Sequence, residues 1–272
     1  MPATSEILLL HLALVLAALV LVGAARWWIC RGANADGAAR PIELAYVHDG
    51  PRLVVFTGLA ALRHHALIRV GSQGLVAVPG AVLPEGASPL HTALLALMKQ
   101  PREAADLFND ELLTARTDAV GARLVRRGWI LSAKQQKRMT WWGMPGWVTA
   151  AWCFAASMLT LSLHAGPGRS LQVLALLGLS VVAAVATFML IDVPVVTRSG
   201  RAVLRRARAE LDARPPGAAS WPTRVAARGE PELWRLDEDF ARESGAFSGE
   251  LPPFRPTRSR TFISRDWWER MG

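Results

Sequence analysis

Two uncharged apolar segments separated by a short polar turn constrain this chain more than any other feature. Trp147–Leu163 and Leu171–Ile191 contain no Asp, Glu, Lys or Arg, and between them His164-Ala-Gly-Pro-Gly-Arg-Ser170 gathers helix-breaking residues. A helix rises ~1.5 Å per residue, so about 20 apolar residues cross a hydrocarbon core ~30 Å thick. The second segment meets that length and the first meets its lower limit, which predicts a helical hairpin crossing a bilayer twice. Two core helices of a soluble protein are the competing reading, but such helices seldom need uncharged runs this long.

A third apolar run, Ile7–Ala25, precedes them. A cleaved signal peptide would open on basic residues, whereas Met1–Glu6 holds none and one acid. Arg26 and Arg31 follow the run instead, beside Trp27 and Trp28 as interfacial anchors. The run is expected to stay as an uncleaved anchor, with His11 neutral or facing another helix rather than relaying protons. The basic flanks then set orientation. Arg26, Arg31 and Arg40 follow the first run; Arg123, Arg126, Arg127, Lys134, Lys137 and Arg138 precede the second; Arg198, Arg201, Arg205, Arg206 and Arg208 follow the third. The turn holds only Arg169. Every flank gives one topology in a bacterial inner membrane: N-terminus outside, residues 26–140 inside, turn outside, C-terminal part inside.

The 272 residues leave room for a soluble domain of about 100 residues beside the membrane part. The formal charge is +9, and lysine occurs only at Lys99, Lys134 and Lys137. Cys30 and Cys153 lie at or in membrane segments and form neither a disulfide framework nor a clustered metal site.

The expected organisation is an anchor helix in 1–31 (span 7–25), a linker at 32–40, a cytoplasmic domain at 41–140 and the hairpin at 141–192. A basic juxtamembrane helix at 193–214 and a mostly disordered tail at 215–272 follow. Within the domain, Pro41 opens a short helix ended by Gly50, and Pro51 opens a longer one with Val54, Val55, Leu59, Leu62 and Ala66 near helical spacing. Leu67–Val70, the turn Gly71–Gly74 and Leu75–Val78 read as a β-hairpin. Helix, helix, hairpin is the order of a small winged-helix-like unit. A second unit overlays the first at a shift of 62 positions, setting Leu62, Leu67 and Ile68 on Leu124, Trp129 and Ile130. Its expected helices are Pro89–Met98, Glu103–Leu113 and Asp118–Arg127, with no second wing strand. The tail from Trp221 shows no periodicity, only scattered aromatics such as Trp234, Phe240, Phe254, Trp267 and Trp268, suited to docking on a partner.

The winged-helix order raises nucleic-acid binding. Its recognition helix, Pro51–Leu67, offers only Arg52, Arg63 and two histidines among apolar residues, which is a poor base-reading face. The basic cluster Arg123–Arg138 is explained by its place beside the membrane. Motifs for nucleophilic serine, P-loop, zincin, C-x-x-C and dinucleotide-binding chemistry are absent from the sequence. His64 and His65 beside Asp49 or Glu43 could be imagined as a site, but adjacent helical positions point about 100° apart, and a half-exposed helix end explains them. Asp192 reads as interfacial. No catalytic, cofactor-binding or metal residue is assigned, and no small molecule is inferred.

Tyr46, Gly50, Pro51, Arg52, Val54, Leu59 and Leu62, followed by the paired span and then Thr197, Gly200 and Leu204, carry a resemblance. Over about residues 40–210 the chain resembles an uncharacterised bacterial family of membrane proteins, with Asp49 where the family has Gly. Many relatives end in a Gly/Cys-rich tail; this chain ends in an Arg/Trp/Pro tail without Cys. The resemblance implies no known chemistry. The expectation is therefore a mainly α membrane protein, with three transmembrane helices and a cytoplasmic α+β tandem winged-helix-like domain. It would act as a non-catalytic interaction or regulatory module on the lipid bilayer with a protein partner. A membrane-bound DNA-binding regulator and an enzyme with an unrecognised site are the alternatives.

Overall fold

A computed structural model describes residues 4–32, 38–71, 74–163, 195–215 and 217–246, with helical positions 174, 177–178, 180–182 and 184–185. The described chain is mainly helical, with one two-stranded antiparallel sheet. It divides into two compact units, Met1–Arg31 with Leu131–Val195, and Gly32–Ile130 with Val196–Gly272. This corrects the expected division: the basic helix and the chain after it belong with the domain, while Leu131 onward joins the apolar unit.

In the apolar unit, α1 (Thr4–Cys30) includes the expected 7–25 run. Its segment Leu12–Cys30, with mean hydropathy 2.1, is the one described helix long and apolar enough to cross a membrane. Helix α7 (Ala133–Leu163) is continuous from well before the expected span at 147 and passes through Pro145. Val15 and Ala150 are buried together with Leu19 and Ala184 against them, and Cys30, Leu131 and Met139 with Ile29 form a second cluster. The two helices therefore run antiparallel, and position 184 of the third apolar segment joins their core. Leu131 N–H donates to the Val195 carbonyl at 2.9 Å. The turn 164–170, most of 171–191, Asp192 and the side chains of His11 and Cys153 lie outside what is described.

The second unit starts as expected with α2 (Pro41–Asp49), α3 (Pro51–His64) and the hairpin β1 (Ile68–Gly71) and β2 (Gly74–Ala77), paired Ile68 to Ala77 and Val70 to Leu75. Pro41 and Pro51 each sit in a first helical turn, where the missing N–H costs nothing. Gly50 between them takes φ +77°, which a residue with a Cβ resists. Every residue from Leu53 to Leu62 on α3 is buried, so this helix is the centre of the unit.

The 62-residue correspondence is visible at two helix ends. Leu67 N–H donates to Leu62 O at 2.9 Å with Ala66 at φ 53°, and Trp129 N–H donates to Leu124 O at 3.0 Å with Gly128 at φ 70°. Ile68 then enters β1, whereas Ile130 bridges Val196, so the second copy takes its strand partner from the chain returning after the apolar unit. Its helices are α4 (Pro89–Leu97), α5 (Ala104–Phe108) and α6 (Glu111–Arg126). The expected Glu103–Leu113 and Asp118–Arg127 are corrected here, because the Asp110 side chain accepts from Leu112 N and Leu113 N and starts α6 early.

The largest correction concerns the tail. After α8 (Arg198–Asp212) come α9 (Trp221–Arg228), α10 (Pro231–Leu236) and α11 (Glu238–Glu243). Val225, Ala226, Ala227, Leu233, Phe240 and Ala241 are fully buried, with α9 packed on α2 and α3 and α11 on β1. Each helix is too short to show a period, yet together they complete the core. Phe254, Trp267 and Trp268 lie outside the described residues.

Candidate interaction surface

What holds α9–α11 in place is a set of polar contacts reaching back to α2, α3 and α8. His48, in the last turn of α2, places Nδ1 3.1 Å from Ala226 O and Nε2 2.8 Å from Arg208 Nη2. A guanidinium only donates, so Nε2 is the acceptor and the single ring proton sits on Nδ1, donating to the carbonyl. Burial first, then the Arg208 charge, pull the imidazole down to about 4, against a smaller upward effect of the carbonyl. Arg208 Nε also donates to Ala227 O at 2.7 Å, fixing two successive carbonyls of α9.

Ion pairs extend this seam. Arg52 Nε stands 2.8 Å from Glu230, with its guanidinium over Phe56 and Phe108, and Arg63 stands 2.8 Å from Asp237. Glu232, almost wholly buried, is ringed by Arg224, Arg228 and Arg235. Burial and the Glu230 charge raise Asp49, partly offset by Arg52. On the far side of α2, buried Glu43 accepts from Arg40 N and Arg127, with Arg123 at 3.9 Å. Tyr46 packs against Gly121, and burial and then Asp118 push its phenol up to about 12.

The imagined catalytic group is not assembled. His64 and His65 are exposed, with rings 5.4 Å apart and His64 against Trp221, while Glu43 is engaged by Arg40, Arg123 and Arg127. His91 accepts from Ser88 N–H in a capping box, and burial and then His65 lower its pKa. Among the described residues no group of metal-ligating side chains comes together. These contacts hold helices together; they do not present a reacting atom. Sequence reasoning misses His48, Glu230 and Asp237, whose partners lie far along the chain, and reads Arg208 only as part of a basic flank. No family model, curated protein or solved structure matches the chain.

Proposed function

We propose that this chain is a membrane-tethered, non-catalytic interaction or regulatory module: a three-span inner-membrane anchor carrying a cytoplasmic, tandem winged-helix-like domain. We further propose that it shares this plan with the uncharacterised bacterial membrane family that its motifs resemble. The observation that carries the reading is the convergence of the chain connections. In the apolar unit the end of α1, the start of α7 and Val195 lie together through Cys30, Leu131, Met139 and the Leu131–Val195 hydrogen bond. This meeting of ends supports reading three spans with residues 31, 131 and 195 on one side of a bilayer, taken as the inside from the basic flanks.

Exposure supports the bilayer. Leu12, Leu16 and Val20 on α1, Trp152, Phe154 and Leu159 on α7, and Leu174, Val181 and Val185 are all exposed large apolar side chains. Apolar surface of this extent calls for a lipid or protein cover. The DNA-binding alternative loses its reader: α3 is buried along its length, and Arg52 and Arg63 are engaged with Glu230 and Asp237. Full-length protein solubilised from membranes is expected to co-purify a stoichiometric protein partner without retention on DNA. Retention that falls steeply with salt would replace this reading with the DNA-binding one.

A further inference from the structure

We propose that the outward face of α8 binds anionic phospholipid headgroups of the bilayer, an inference that rests on the membrane reading above. Helix α8 is two-sided: Gly200, Val203, Leu204 and Leu211 are buried, and Arg198, Arg201, Arg205 and Arg206 are exposed. Spacings of three and four put Arg198, Arg201 and Arg205 along one line of the helix, with Arg206 beside it. Arg201, Arg205 and Arg206 form no ion pair among the described residues, whereas Arg224, Arg228, Arg235 and Arg242 on the following helices each hold a carboxylate. Guanidinium groups match phosphate oxygens in a fork geometry, so an unneutralised row of them suits phosphodiester headgroups.

The row is also fixed in direction. Thr197 Oγ1 donates to Gly128 O at 2.7 Å and accepts from Gly200 N at 3.2 Å. A Cβ on Gly200 would stand 2.5 Å from Trp129 O, so the helix backbone lies directly on the end of the second repeat. Arg208, on the inward side, is bound to His48 and Ala227. Only Val196 and Thr197 separate α8 from the end of the apolar unit. Gly32, Gly128 and Ser199 meet at the N-terminal end of the helix. Headgroup attraction fades within a Debye length of about 8 Å, and the exposed arginines begin at Arg198, soon after Val195 at the end of the apolar unit.

Full-length protein reconstituted into bilayers of equal phosphatidylcholine and phosphatidylglycerol, then extracted in nonionic detergent, is tested for retained lipid by mass spectrometry. The wild type is expected to retain phosphatidylglycerol preferentially. Arg201→Gln/Arg205→Gln/Arg206→Gln is expected to lower that preference by about 5-fold per arginine, and high salt to lower it in the wild type. Arg69→Gln/Lys99→Gln/Arg116→Gln, which removes equal charge elsewhere, is expected to keep it. A preference unchanged in the α8 variant, lost equally in the control variant, insensitive to salt, or displaced by inorganic phosphate overturns the proposal. The salt and phosphate arms use wild-type protein, so they decide the matter even if a variant does not fold. Protein stripped from the bilayer by alkaline carbonate would remove the membrane reading itself, whereas integrated protein without lipid preference removes this inference alone.

Discussion

Arg208 on α8 donates to the Nε2 of His48 on α2, 2.8 Å away, and so holds the ring in its neutral form between two helices. The folded imidazole, near 4, lies below its ordinary value of 6.5, so between those values the unfolded chain binds more protons. Stability from this contact is present above about pH 6.5 and is lost as pH falls towards 4, by at most about 3 kcal/mol. Asp49, raised by burial, works in the opposite sense as pH rises from its ordinary value. Denaturant unfolding of wild type and His48→Gln at several pH values isolates the histidine, and the variant is expected to lose the acid-side slope that His48 supplies. Equal slopes in both proteins would contradict the neutral His48–Arg208 contact.

The C-terminal helices are structural. Phe240 is wholly buried beneath α10–α11, with Arg63 over its ring, and Phe240→Ala is expected to cost about 3–5 kcal/mol. Ending the chain after Arg214 removes Val225, Leu233 and Phe240 from the core and is expected to abolish cooperative unfolding of the domain. Ending it after Ala246 should preserve the transition. Circular dichroism melts of the two truncations check this, and a cooperative melt after Arg214 would contradict the assigned packing.

Gly32 is the most exacting glycine at the point where the chain connections meet. It has φ +70°, and a Cβ there would stand 2.7–2.8 Å from Ser199 Oγ, Gly128 O and Thr197 Oγ1. Gly32→Ala is expected to destabilise by about 1–3 kcal/mol through strain and crowding. Thr197→Val, which removes an N-cap and a bond to Gly128 O, is expected to cost about 1–2 kcal/mol. Thermal stability indistinguishable from wild type in both would show that this junction is looser than described.

On α3, Leu59 and Leu62 are buried among the helices of both repeats. A carboxylate there has no partner, so Leu59→Asp or Leu62→Asp is expected to unfold the domain, since an unpaired buried charge costs several kcal/mol or forces protonation. Wild-type hydrogen-exchange protection in either variant would show that the assigned face is wrong.

How much of this was legible in the sequence depends on the range of the interaction. Pro41, Gly50 and Pro51 mark two helix starts locally, Gly71–Gly74 marks the hairpin, and the correspondence of Leu62–Ile68 with Leu124–Ile130 reports two helix ends of the same geometry. The helix expected over Glu103–Leu113 runs across Asp110, whose side chain instead caps a new helix. The short helices α9–α11 were not legible, because each supplies only two or three core positions. The seam was hidden for a different reason: Arg52 and Glu230 meet across 178 positions, and no local pattern encodes that pairing.

The arrangement in the membrane is tested most directly by reporter fusions in the full chain at Ser88, in the turn at Gly168, and after Ala246. The account predicts cytoplasm-reading activity at Ser88 and Ala246 and periplasm-reading activity at Gly168. A periplasmic signal at Ser88, or the same compartment at all three positions, would contradict a three-span anchor that holds its domain inside.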